Sequence, residues 1–133
     1  MMDILASLLM LPIYLQLQDF QTNPLTPELT VTLRAEQEAP ACPSCQTPAN
    51  RVHSHYERTL ADLPWGEYRV CWKLTVRKCF CRNAECEQRI FSERFVEFIQ
   101  PWARKTNRLM EQLSAIGLAL AGAAGARLTS HLN

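Results

Sequence analysis

The period of hydrophobic and polar positions changes along the chain. Met1-Met2-Asp3-Ile4-Leu5-Ala6-Ser7-Leu8-Leu9-Met10-Leu11 is an apolar run closed by Pro12, which predicts a short amphipathic or buried helix. Tyr14 to Phe20 alternates loosely and Leu29 to Ala35 alternates cleanly. Between them Thr22 to Pro27 carries two prolines and an Asn. That pattern predicts two antiparallel strands joined by a turn. Glu36 to Ala41 is a polar connector. Arg51 to Arg58 can form a strand, and Asp62-Leu63-Pro64-Trp65-Gly66 has turn chemistry, with Asp62 able to accept backbone N–H bonds. Arg69 to Lys78 is the clearest strand. Val70, Trp72, Leu74 and Val76 share one face, while Arg69, Cys71, Lys73, Thr75 and Arg77 share the other. After Pro101 the period becomes helical, with Leu109, Leu113, Ile116 and Leu120 on one stripe. Pro101 suits a first helical turn. Gly122 to Leu132 predicts a second short helix, and its small residues permit a close helix–helix approach. The stripe reads as an ordinary core face or as a partner surface.

Charge changes this picture more than composition does. The chain has 133 residues and a net charge of +1. Up to Asn50 a single base, Arg34, stands against Asp3, Asp19, Glu28, Glu36 and Glu38; from Arg51 onward 13 bases meet 8 acids. An acidic part followed by a basic one points to a polyanion partner for the second, with a solvated surface as the plain alternative. Arg69, Lys73, Arg77 and Lys78 on the strand, with Arg104, Lys105 and Arg108 near the helix start, are the candidate phosphate contacts.

The six cysteines carry the chemistry. Cys42-Pro43-Ser44-Cys45 and Cys81-Arg82-Asn83-Ala84-Glu85-Cys86 form two close pairs far apart in sequence. Two knuckles that each present two thiolates satisfy tetrahedral zinc. A disulfide framework would need a secretory leader. Here the first residues carry an acid in place of a basic region, and the apolar run is too short to span a membrane. The reading is therefore a cytoplasmic chain with reduced thiols and one structural zinc. Four thiolates around Zn²⁺ leave a formal charge of −2, which calls for N–H donors or cations such as Arg82, Lys78 and Arg51 nearby. Cys79 could compete with Cys81 for the metal, and His53 and His55 are weaker candidate ligands. Cys71 reads as a packing residue. No nucleophile with a poised base, redox Cys pair within a βαβ pattern, or acidic metal cluster is visible, so no enzyme active site is predicted.

Taken together, the pattern predicts an α+β fold. A small antiparallel sheet carries a zinc-ribbon-like four-cysteine knuckle site, and a C-terminal helical segment follows. The expected division is 1–40 (helix and hairpin), 41–98 (zinc-binding β domain) and 99–133 (incomplete helix-turn-helix).

Several segments occur in order: the two cysteine pairs, Arg51-Val52-His53-Ser54-His55, Asp62-Leu63-Pro64-Trp65, and Ile90-Phe91-Ser92-Glu93-Arg94. In that order they resemble the N-terminal zinc-finger region of the ISL3 family of bacterial insertion-sequence transposases. Ile116 to Leu120 and Ala124 to Leu128 look like the start of that family's helix-turn-helix. The resemblance implies zinc on Cys42, Cys45, Cys81 and Cys86. It also implies recognition by the basic strand and helices of the terminal inverted repeats of DNA. Full-length members carry a DDE-type catalytic domain that nothing here matches, so the resemblance implies a truncated transposase or its amino-terminal fragment. Cys79 departs from the family pattern, which usually has an aromatic or basic residue there. The rival reading is a protein-interaction fragment that associates with itself or inhibits the full-length transposase. A thiol redox enzyme is a third, weaker reading.

Overall fold

The computed structural model describes residues 2–132. Met1, at the start of the first predicted helix, and Asn133 lie outside the described residues. Helix α1 (Met2–Leu8) leads into strands β1 (Leu15–Thr22), β2 (Glu28–Ala35), β3 (Val52–Trp65), β4 (Tyr68–Phe80) and β5 (Ile90–Ser92), then helices α2 (Asn107–Leu120) and α3 (Ala123–Thr129). The fold class is α+β, as the sequence indicates.

The sheet is mixed rather than purely antiparallel. Its order is β1-β2-β4-β3, with β5 paired to β4. β1–β2, β3–β4 and β4–β5 are antiparallel, but β2 runs parallel to β4. Side-chain rows explain the choice. In the β2–β4 register Leu29 meets Val70, Val31 meets Trp72 and Leu33 meets Leu74, and all six are buried. One face of each strand thus merges into a continuous apolar surface. The parallel pairing needs a long crossover, and the segment from 36 to 67, holding the first cysteine pair and β3, supplies it.

The apolar face is covered by Leu5 and Leu9 from the N-terminus and by Phe95, Phe98 and Ile99 from the loop after β5. Trp72 has no exposed surface and stacks on Phe98 with ring centroids 5.3 Å apart. α1 ends before Pro12. Met10 adopts φ 51°, and the N–H groups of Met10 and Leu11 donate to Ser7 and Ala6 carbonyls, a Schellman closure.

Three local expectations change. The strand predicted to end near Arg58 continues to Trp65, and the β3–β4 reversal is a two-residue loop at Gly66-Glu67, with Gly66 at φ 61°. Asp62 therefore does not serve the turn. It is buried and accepts hydrogen bonds from Thr106 Oγ1 at 2.8 Å and Arg108 Nε at 2.7 Å. Lastly, α2 starts at Asn107 rather than near Pro101. Thr106 is its cap, with its side chain accepting from the Leu109 N–H. Pro101 instead occupies the second position of a turn in which Ala103 N–H donates to Gln100 O at 3.2 Å. Residues 104–106 run along the open edge of β3, with Ala61 and Thr106 N–H groups donating to Arg104 and Ala61 carbonyls. This contact covers an edge strand that would otherwise offer unpaired groups.

Leu109 is fully buried, while Leu113 and Ile116 are half-buried and Leu120 is exposed. The predicted stripe is thus a core face only in its first part. The helix pair does close tightly on small residues. A Cβ built on Gly125 would lie 3.7 Å from Gly117 Cα and 3.7 Å from Ile116 O.

Candidate metal centre

Both knuckles are built by short backbone hydrogen bonds. In the first, Cys42 N–H donates to Thr47 O and Gln46 N–H to Cys42 O, with Gln46 at φ 64°. In the second, Cys81 N–H donates to Arg89 O and Cys86 N–H to Asn83 O. β4 delivers Cys81 one residue past its end. Ser44 Oγ donates to Gln88 Oε1 at 2.6 Å and so ties one knuckle to the other.

The result is a cluster of four thiols, Cys42, Cys45, Cys81 and Cys86, whose sulfurs all lie within 4.8 Å of one another. Cys42 and Cys86 Sγ are 4.0 Å apart, and Cys45 and Cys81 Sγ are 3.6 Å apart. A tetrahedron with Zn–S bonds of about 2.3 Å has edges of about 3.8 Å, so these separations fit. They are far from a disulfide bond of about 2.05 Å, and all six cysteines are free. Four thiolates fill a zinc coordination sphere, so the ion is structural and leaves no position for a reactant.

The Thr47 side chain and backbone N–H groups, rather than cations, are the groups that favour the thiolates. Cys45 is drawn down to about 6, first by hydrogen bonding to the Thr47 side chain and then to its backbone. Asn83 N–H likewise favours the Cys81 thiolate, but burial and the neighbouring sulfurs of Cys45, Cys42 and Cys86 outweigh it and push that thiol up to about 12. Cys86 receives the Gln88 N–H and is nevertheless raised by burial and by Cys45. The metal-free cluster cannot ionise fully, because each new thiolate meets those already present. A divalent cation removes that conflict. Of the cations expected to help, Arg51 lies over the Phe80 ring at 4.8 Å and Lys78 over Tyr56 at 5.3 Å, and Arg82 is exposed.

Cys79 is not part of the cluster. It is buried with Cys42, Ala49 and Phe91 under the site, and burial raises its thiol. The strand still holds its regular geometry at Cys79, so the side chain points into packing; only after Phe80 does the chain turn. Cys71 lies half-buried on the outer face of β4, where burial also raises it. Neither His53 nor His55 joins the thiols; His53 sits edge-on to Phe80 at 5.0 Å.

The seven candidate phosphate contacts divide. Arg77 donates through Nε and Nη2 to both oxygens of buried Glu93, each at 2.9 Å, and Arg108 grips Asp62 through Nε and Nη2. Both arginines are drawn inward by buried carboxylates, which sequence alone does not reveal. Lys73 and Arg104 are exposed, and Lys78 and Lys105 half-exposed. Arg69, at the start of β4, is exposed as well. The outer face of β4 is also less basic than its strand pattern indicates, since Glu28 and Glu57 act on Cys71 from neighbouring strands. No helix among the described residues is long and apolar enough to cross a membrane.

Residues 38–86 match the family described as the zinc-finger of transposase IS204/IS1001/IS1096/IS1165. Comparison with curated proteins and with solved structures gave no match. The matched segment begins just before the first knuckle and ends on the last thiol, so the stretch that is similar to a transposase zinc finger contains all four sulfurs that converge in space.

Proposed function

We propose that this chain is the zinc-stabilised DNA-binding part of a transposase, which recognises the terminal inverted repeats of an insertion sequence and has no catalytic role of its own. The observation that carries the reading is the match of residues 38–86 to a transposase zinc finger. The saturated thiol site supports a binding module rather than a reactive centre. Lys73, Lys78, Arg104 and Lys105, with Arg69, supply the positive surface; Arg77 and Arg108 hold the scaffold that presents it. Phosphate contacts of this kind give affinity and register, while base edges give sequence.

The test is a titration of the zinc-loaded chain with duplex carrying a terminal repeat, at several salt concentrations. Five phosphate contacts predict a slope of log affinity against log salt of about −4.5. The double variant Lys73→Glu/Lys105→Glu should flatten it by about 2. Salt-independent binding, or a slope untouched by the double variant, removes this assignment.

A second reading, self-association or capture of a full-length transposase, draws on the helical segment. Leu118 is 87% exposed, and Met110, Leu120 and Leu128 of the same helix pair are exposed as well. Sedimentation of the wild type against Leu118→Glu/Leu128→Glu tests it: a dimer that dissociates in the variant supports it, and a monomeric wild type eliminates self-association.

A further inference from the structure

A groove of about 610 Å³ opens beside the metal centre, between β3, β5 and the turn at Pro101. His53, Tyr56, Arg58, Lys78, Arg94 and Trp102 line it. Its carboxylate, Glu93, is already bound by Arg77. The lining is therefore cationic and aromatic together. Arg94 is one of the lining residues, and its Nε is buried without a hydrogen-bond partner among the described residues, although buried donors ordinarily find one.

Trp102 is the decisive feature. It is 92% exposed and holds φ 68°. The turn has Pro at its second position and a left-handed residue at its third, the type II arrangement that normally takes Gly or Asn. A large aromatic there is unfavourable in the backbone and gains no burial. Nor is the turn loose. Arg58 Nη2 donates to both Gln100 O at 3.2 Å and Ala103 O at 2.7 Å, clamping the two ends of the turn. Gln100 Nε2 adds a bond to Val96 O at 2.9 Å. The fold thus fixes an indole in solvent on the rim of a basic groove.

We propose that this groove binds an unpaired nucleotide, its base stacked on Trp102 and its phosphates met by Lys78 and Arg94. Charge complementarity selects a polyanion. An exposed ring gains stacking only from a base with a free face, so an unstacked strand is favoured over an intact duplex. The proposal rests on the nucleic-acid reading above and names a site within it.

The experiment uses the zinc-loaded chain and an eight-nucleotide oligothymidylate, followed by anisotropy and tryptophan fluorescence. Trp102→Gly should weaken binding about tenfold or more and abolish the binding-induced quenching. Its melting temperature should not fall, because Gly suits φ 68°. Trp102→Phe should keep most of the affinity. Unchanged binding by Trp102→Gly overturns the site, as does a lowered melting temperature that accounts for the loss. Equal, Trp102-dependent binding of hexaglutamate overturns the nucleotide assignment. If the wild type binds terminal-repeat duplex with the salt slope above but not the oligothymidylate, this inference fails alone. If it binds neither, the DNA-binding reading has failed with it.

Discussion

The two ends of β4 are held by different physics. Its first part, Val70 to Val76, is held by area: Trp72, Leu74 and Val76 have no exposed surface and pack with Leu29, Val31, Leu33, Leu60, Phe95 and Ile99. Its last part, from Cys79 onward, has a small buried cluster of Cys42, Ala49, Cys79 and Phe91 around it among the described residues. So small a cluster removes too little apolar surface from water to order two loops against their chain entropy. The four thiols and their ion fill that gap. The lesson is that one strand can run from a hydrophobic core into a coordination core.

Metal removal is the strongest way to break this comparison. Structural zinc contributes on the order of 10 kcal/mol or more. Chelation should therefore strip hydrogen-exchange protection from residues 42–49 and 81–91 while amides of Val31, Trp72 and Leu74 stay protected. Simultaneous loss at both ends would show one cooperative unit in place of two. Trp72→Ala is the reverse experiment. It should cost about 3–5 kcal/mol in denaturant melts, yet the protein that remains folded should still bind one zinc per chain. Arg108→Ala comes next, at roughly 3 kcal/mol, because it strands the buried Asp62 carboxylate; Arg77→Ala should behave similarly through Glu93. Lys73→Ala, on the open face, should stay within about 0.5 kcal/mol in stability while weakening duplex binding. A large destabilisation there would mean the outer face is structural.

Much of the metal site was legible because its grammar is local. Each Cys pair lies within one loop, and its spacing is what a knuckle requires. The pairing of Cys81 with Cys86 across the loop holding Asn83 favoured Cys81, but Cys79 stayed a competitor until the structure showed β4 running on to Phe80 and Cys79 packed beneath the site. The basic surface was legible only in part. Strand parity placed Arg77 beside Lys73, but nothing local to Arg77 announces Glu93, 16 residues away, and nothing near Arg108 announces Asp62, 46 residues away. Trp102 went unnoticed because an aromatic after proline looks like the first turn of a helix. Its left-handed backbone sits in a turn whose two ends are joined by Arg58, again a distant residue.

The sequence by itself determined the elements with a strong period, the apolar face of β4, the hairpin of β1 and β2, and which thiols pair within each knuckle. These follow from interactions among residues a few positions apart. Only the tertiary structure decided that β2 lies parallel to β4, that the knuckles meet, which arginines turn inward and which aromatic faces solvent. Those outcomes depend on burial: a carboxylate enclosed in the core must recruit a cation wherever the fold supplies one, and apolar rows align with whichever neighbouring strand completes their cover.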